Sequence, residues 1–465
     1  MTRSIAVLCL LLAACAVGPD YVRPTFDLPS AWRVSEPAAT APARESEWWR
    51  QFGDPVLDRL VAGGLALNHD LLTAAARVDE ARAALAAARA NQALRVDAGA
   101  SYGKGRSSAY AVTPGTPLVA QRDAAGVTLS WEIDLWGRLR RSREAAQAGF
   151  AASRHAYAGA RLSLAAQIAQ TYFQLLALDA QSAVAEATLE SRLQSLALRE
   201  ARFRGGLTSA LDWRQAQAQA DAARVAIPGL RQSLELTEHA LALLIGMSAR
   251  EMMAPPGRGN ALFEQALPLV LPPGLPSELL DRRPDLAQSE QELIAANAQI
   301  GVARASYFPS ISLTGALGSQ SPALVSLFTG PAQTWNFAAA VAAPVLDFGL
   351  TAAGVDAATA RREQALAQYR RAVQNAFRET LDALSEQRMT GVRELAQREK
   401  RAALHEVLRL ARLRYDNGYA SYLDVLDAER DDFQAELDQV QARLDRLDAA
   451  VDLFKALGGG WTATD

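Results

Sequence analysis

Asp424 and Asp427 are the charged side chains whose spacing most clearly implies a shared task. Three residues apart on a helix, they project from one face. Two like charges held together make a field that favours cations, a function of electrostatics and not of bond breaking. Other chemistry is scarce. Thiols are limited to Cys9 and Cys15 and imidazoles to His69, His155, His239 and His405, with no pair at metal-ligand spacing. A P-loop, a Gly-rich dinucleotide turn, a nucleophile elbow and an HExxH motif are all missing from the sequence. The expectation is a protein that is no enzyme and takes no cofactor or metal. The 48 basic and 51 acidic residues, for a net charge of −3, leave no basic footprint for nucleic acid.

Covalent chemistry enters at Cys15. Arg3, the apolar run Ile5–Leu12 and the small residues Ala13 and Ala14 read as a secretory signal over residues 1–14. The run is too short for a membrane-spanning helix, which needs roughly 20 apolar residues. Leu12-Ala13-Ala14-Cys15 resembles a bacterial lipobox, in which the cysteine becomes the acylated first residue of the mature chain. Cys9 leaves with the signal, so no disulfide is available. Ala16, in place of an acidic residue, favours the outer membrane by the same resemblance.

The elements that must position Asp424 and Asp427 come in two copies. Arg202–Asp212 lies over Arg414–Asp424 at a shift of 212 residues, which also carries Gly137 onto Gly349 and Gly246 onto Gly458. Upstream, Asp70-Leu71 matches Asp285-Leu286 at a shift of 215. So long a period marks a duplicated domain and not a solenoid. The expected organisation is a signal over 1–14, a lipid-anchored segment over 15–59, a first repeat over 60–246, a Pro-rich connection over 247–275, a second repeat over 276–458 and a tail over 459–465.

Each copy mixes long helices with two short strands. Between Gly137 and Gly205 there is no proline, and a single helix there would run to about 100 Å. From Phe433 the apolar residues Leu437, Val440, Leu444, Leu447, Val451 and Phe454 step by three and four, the seam of a coiled coil. Alternation predicts strands at Val96–Tyr102, Val127–Leu135, Ile311–Leu317 and Trp335–Val345. Their lengths approach the roughly 9–11 residues with which a tilted strand crosses a bilayer. Tyr102, Trp131 and Trp335 suit an interfacial girdle. The polar faces, with Thr128, Ser130, Glu132, Asp134, Ser312, Thr314 and Asn336, would line a watery passage. Four strands cannot close a barrel, since the smallest have about eight, and hydrocarbon tolerates no open sheet edge. Several copies must share one barrel, and arithmetic alone allows two, three or four.

Five motifs in order carry a resemblance over nearly all of the mature chain. Cys15-Ala16-Val17-Gly18-Pro19-Asp20-Tyr21-Val22-Arg23-Pro24, Trp48–Pro55, Trp131–Arg138, Arg282-Arg283-Pro284-Asp285-Leu286 and Tyr415-Asp416-Asn417-Gly418 through Leu423–Asp427 resemble the TolC-like outer-membrane factors, in the NodT-like lipoprotein subgroup. The resemblance implies an α+β membrane protein: a homotrimer whose shared twelve-stranded β-barrel continues into a long periplasmic α-helical coiled-coil barrel. It implies a passive exit duct for small molecules, working with a periplasmic adaptor and an inner-membrane RND-type pump, and contacts to outer-membrane lipid through Cys15. Two rival functions stay open at this point: a type I protein secretion channel, and a non-conducting coiled-coil lipoprotein that braces the envelope. The alternation at Val127–Leu135 speaks against the brace.

The resemblance places two hairpin tips at the periplasmic end. Ser209 and Ser421, each three residues before an aspartate, predict capping boxes that restart the returning helices. Asp427 has no such duty; its counterpart is Gln215. In a trimer Asp424 and Asp427 would form two stacked carboxylate rings at an aperture, which favours cations, with Tyr415 beside them. The arginine that the better-known channels carry two residues after the tip glycine is here Ala420. Gly205, Gly206 and Leu207, with Asn417, Gly418 and Tyr419, are candidates for adaptor docking, or simply make the turns.

Overall fold

The computed structural model describes residues 17–32, 47–113, 115, 117–267 and 276–460, so the signal and Cys15 lie outside the described residues. Its principal helices are α1 (Pro55–Leu67), α2 (His69–Ala90), α3 (Arg138–Arg204), α4 (Ala210–Leu244), α5 (Pro284–Ala305), α6 (Leu350–Asp416) and α7 (Tyr422–Ala456). Its strands are β1 (Arg95–Arg106), β2 (Val119–Ile133), β3 (Ser310–Ser321) and β4 (Gln333–Ala342). α3 and α6 each have 67 residues, and α4 and α7 each have 35. α6 and α7 begin 212 residues after α3 and α4. Long alanine-rich helices of this kind depend on packing partners more than on propensity. The described chain forms two compact units: residues up to Thr25 with Arg77–Arg154 and Gln288–Arg370, and Phe26–Ala76 with His155–Ala287 and Arg371 onward.

The first unit holds one antiparallel sheet in the order β1-β2-β3-β4, with the central β2–β3 pair joining the two copies. The strands exceed most of the expected lengths. β2 reaches back to Val119 because backbone pairing with β1 continues through Gln121-Arg122-Asp123-Ala124-Ala125, a stretch without alternation to reveal it. β4 ends at Ala342, short of Val345. Gly99, Gly126 and Gly318 sit side by side across three strands. A Cβ on Gly318 would lie 2.5 Å from the Ala125 carbonyl oxygen, so β2 and β3 approach too closely there for any side chain. Every residue of β1 and of β4 is exposed.

Two residues expected to line the passage have another duty. Arg138 forks onto Glu132 at 3.0 and 2.7 Å, and Asp134 accepts the Leu139 and Arg140 amides at 3.0 and 2.8 Å. Both carboxylates thus serve the N-terminus of α3, where unpaired amides and the helix dipole favour negative charge. The Gly18-Pro19-Asp20-Tyr21 motif is docked in the same unit. The Val17 amide donates to Trp136 O at 3.0 Å, Asn297 to Pro19 O at 2.9 Å and Arg141 to Asp20 at 2.6 Å. Tyr21 and Arg23 both donate to Glu290, at 3.0 and 2.9 Å.

The second unit is organised around aromatic packing. Trp48 stacks on Phe454 with centroids 5.1 Å apart, and Phe52 meets Phe173 at 4.9 Å, all four buried. Val440, Leu444, Leu447, Val451 and Phe454 of the expected seam are buried in this core, and Leu437 is half-buried. Asp54, fully buried, caps α1 through the Val56 and Leu57 amides. Gly246 and Gly458 end α4 and α7 at φ 74° and 91°. A Cβ on either would strike the carbonyl oxygen of Leu67 or of Arg282, which explains glycine at both repeat-related positions.

Candidate functional site

Both hairpin tips, in the second unit, turn by one device. After α3 the Gly206 and Leu207 amides return to the Phe203 and Arg202 carbonyls, each at 2.9 Å; after α6 Gly418 and Tyr419 return to Tyr415 and Arg414, at 2.9 and 2.8 Å. With φ of 74° at Gly206 and 77° at Gly418, each is a Schellman turn. The Asn417 side chain is occupied by the Leu413 carbonyl at 2.7 Å. Gly205, Gly206, Asn417 and Gly418 therefore build the turns, while Leu207 and Tyr419 project from them, 80% and 78% exposed. Leu211 and Leu423, also exposed, extend the apolar surface at each tip. Leu423 opens the Leu423–Asp427 motif without being marked there as a surface residue, and the shift of 212 superposes it on Leu211.

The returning helices restart differently in the two copies. The reciprocal capping box forms only in the second: Asp424 accepts the Ser421 amide at 2.8 Å and its hydroxyl at 3.0 Å, and the Asp424 amide donates back at 3.4 Å. In the first copy the Ser209 side chain accepts the Asp212 amide at 3.1 Å, but the Asp212 carboxylate takes the Thr208 hydroxyl at 2.6 Å. The position equivalent to Thr208 is Ala420, which has no hydroxyl to compete. The expected box at Asp212 is thus replaced by a local side-chain bond.

Asp424 and Asp427 are both exposed on α7, and Asp427 pairs loosely with Arg430 at 3.3 Å. Such an exposed pair contributes little energy and leaves the carboxylates open to solution. Tyr415 is engaged from α3: Arg199 donates to its hydroxyl at 2.9 Å and lies 4.4 Å from its ring centre. By residue type Arg199 is one charge among many on α3, yet one signal in the sequence marks it. At the 212-residue shift it falls on Ala411, so the first copy alone carries a charge at that seam position. α6 and α7 are joined by ion pairs, with Arg412–Glu429 at 2.8 Å, Arg401–Glu436 at 2.7 Å, Lys400–Asp438 at 3.0 Å and Arg393–Asp445 at 3.3 Å.

Among the described residues no cluster of His, Cys, Asp or Glu could hold a metal, and no helix is long and apolar enough to cross a membrane. The strands carry exposed apolar residues, among them Val127, Leu129, Leu317, Trp335 and Phe337.

A family model described as outer membrane efflux protein matches residues 62–247 and 275–459, one block on each repeat. The cation efflux system protein CusC of Escherichia coli is 33% identical over 455 residues, covering 97% of both chains. The outer membrane protein OprJ of Pseudomonas aeruginosa is 34% identical over 98% of this chain and 95% of its own. The open-state structure of the Neisseria gonorrhoeae MtrE outer membrane channel superposes with a TM-score of 0.86 at 32% identity, over 97% of this chain and 99% of that one. The role of these relatives is transport. Full-length similarity joined to the paired repeats means that this chain belongs to the outer membrane efflux protein family, as the outer-membrane exit duct of an efflux pump.

Proposed function

We propose that three copies of this chain assemble into one duct, pooling twelve strands in a closed barrel that opens into a helical conduit through the periplasm. The observation that carries this reading is the complete exposure of both edge strands, β1 and β4, on a four-stranded antiparallel sheet. Unpaired backbone groups along those edges have no water to bond in hydrocarbon, so each edge requires a strand from a neighbouring copy. Supporting it, α6 carries the exposed apolar residues Val392, Leu395, Val407, Leu410 and Leu413, a stripe suited to a helix of another copy.

In this reading Cys15 carries the lipid that tethers the docked Val17–Arg23 segment to the outer membrane. Asp424 and Asp427 ring the periplasmic aperture, with Tyr415 behind them. Leu207, Leu211, Tyr419 and Leu423 offer an apolar surface to the helical hairpin of a periplasmic adaptor, which couples the duct to an inner-membrane RND-type pump. Small toxic solutes are the cargo, and the duct itself expends no energy.

The test is to extract the full-length protein in mild detergent, measure its mass by native mass spectrometry and record its conductance in planar bilayers. A trimer that conducts ions is expected; a stable single chain with no pore activity defeats the reading.

A further inference from the structure

We propose that Arg199 is the positioning residue that holds the α6–α7 hairpin against α3 at the tip, acting as a cation between two tyrosine rings with no carboxylate partner; this rests on the aperture reading above. Arg199 is 5% exposed, and its guanidinium lies 4.4 Å from the Tyr415 ring centre and 4.6 Å from that of Tyr422. It donates to the Tyr415 hydroxyl at 2.9 Å, while its Nε meets no acceptor and no carboxylate pairs with it among the described residues. A buried charge ordinarily recruits an opposite one. Here the negative faces of two aromatic rings serve instead, an attraction that strengthens when water is excluded. Tyr422 is fixed further by Ser195 of α3, hydroxyl to hydroxyl at 3.4 Å.

One heptad earlier a second arginine of α3 is buried, and there the Glu429 carboxylate of α7 contributes an attraction. Arg192 is buried, lies 5.5 Å from the Phe433 ring of α7 and donates to the Gln219 carbonyl at 3.0 Å, again with its Nε unpaired. In the second copy these two positions are Leu404 and Ala411, so the fastening is one-sided. The contrast with the α6–α7 seam decides what it does. Across that seam Leu408, Ala411 and Tyr415 of α6 share an apolar cluster with Tyr422, Val425 and Leu426 of α7, and the half-exposed ion pairs flank it, so α6 and α7 move as one body. Their attachment to α3 at the tip rests on Arg199 between the two rings, with Leu196 packed into the same apolar cluster, and a ring face accepts a cation over a range of lateral positions. Tyr415 and Tyr422 flank the turn that leads to Asp424 and Asp427, so releasing Arg199 frees the carboxylates to move outward together.

The experiment compares full-length wild type with Arg199→Gln, Arg199→Lys, Tyr415→Phe and the double variant R199Q/Y415F in planar bilayers. Spin labels at Leu207 and Tyr419 report the separation of the two tips. Arg199→Gln should raise open probability by about tenfold, as loss of a link favouring the closed state requires. Tyr415→Phe, which keeps the ring and loses the acceptor, should give a smaller rise, and Arg199→Lys should restore part of the closed population. The double variant should open no more than Arg199→Gln alone, and the label distances should broaden while trimers stay intact. Trimers of R199Q with unchanged open probability and unchanged distances overturn the proposal, and so do additive effects in the double variant. If R199Q does not assemble, Tyr415→Phe decides the matter: a rise supports the link and no change overturns it. A wild type that conducts nothing defeats the duct reading first, which keeps the two failures apart.

Discussion

The Tyr172 hydroxyl donates to Asp54 Oδ2 at 2.7 Å, so a residue of the long helix α3 completes the cap of α1 from 118 positions away. The same carboxylate accepts the Gln265 side chain at 2.6 Å and the Asn260 amide at 3.1 Å, drawing in the connection between the repeats. Burial pushes the Asp54 carboxyl up, but the bonds from Gln265, Tyr172 and the Val56 and Leu57 amides outweigh it and hold its pKa below the usual value. Its stabilisation is therefore present above about pH 4 and is lost as pH falls further. Asp54→Asn should cost about 2–4 kcal/mol, since an amide cannot accept all these donors. Tyr172→Phe should cost about 1–2 kcal/mol. Thermal melts followed by circular dichroism check both, and D54N should also lose the steepest part of the acid limb.

Asp448 behaves in the opposite sense. Burial, then the neighbouring Asp452, Asp445 and Glu386 carboxylates, push its pKa up to about 7. A carboxyl raised on folding favours the folded state fully below about pH 4, and that contribution disappears as pH rises through about 7. Asp448→Asn should therefore raise the melting temperature at about pH 8, by an amount that shrinks with falling pH and vanishes below about pH 4. A series of melts across that range reads the sign directly.

Asp424 and Asp427 divide their labours. Asp427→Asn should reduce the preference for cations, measured as a reversal potential in a salt gradient, with a change in stability of at most about 0.5 kcal/mol. Asp424→Ala should reduce selectivity too, and cost about 1 kcal/mol through the lost cap. Equal selectivity in wild type and the Asp427 variant would remove it from the aperture.

The glycine line across the sheet gives a steric prediction. Gly318→Val places a Cβ against the Ala125 carbonyl and the Gly126 Cα, so heat-resistant trimers on semi-native gels should be lost. Gly99→Ala, where nothing lies within 4 Å, should assemble like wild type.

The amino-acid order by itself determined the repeat, the two 67-residue helices and the glycines that end them. Each of these is a local property: absence of helix breakers, period of apolar residues, or a backbone angle that only glycine adopts cheaply. It also placed the strands, because alternation over Val127–Ile133 is a near-neighbour pattern, though not their full reach, since backbone pairing at Gln121–Ala125 needs no particular side chain. What only the tertiary structure decided is which side chains meet across long separations. Glu132 and Asp134 read as passage-lining because they alternate, and were claimed by the amides and Arg138 of a helix that begins a few residues later. The shift onto Ala411 marks Arg199 as unmatched in the second copy, but only packing buried it and set two tyrosines, more than 200 residues distant, beside it.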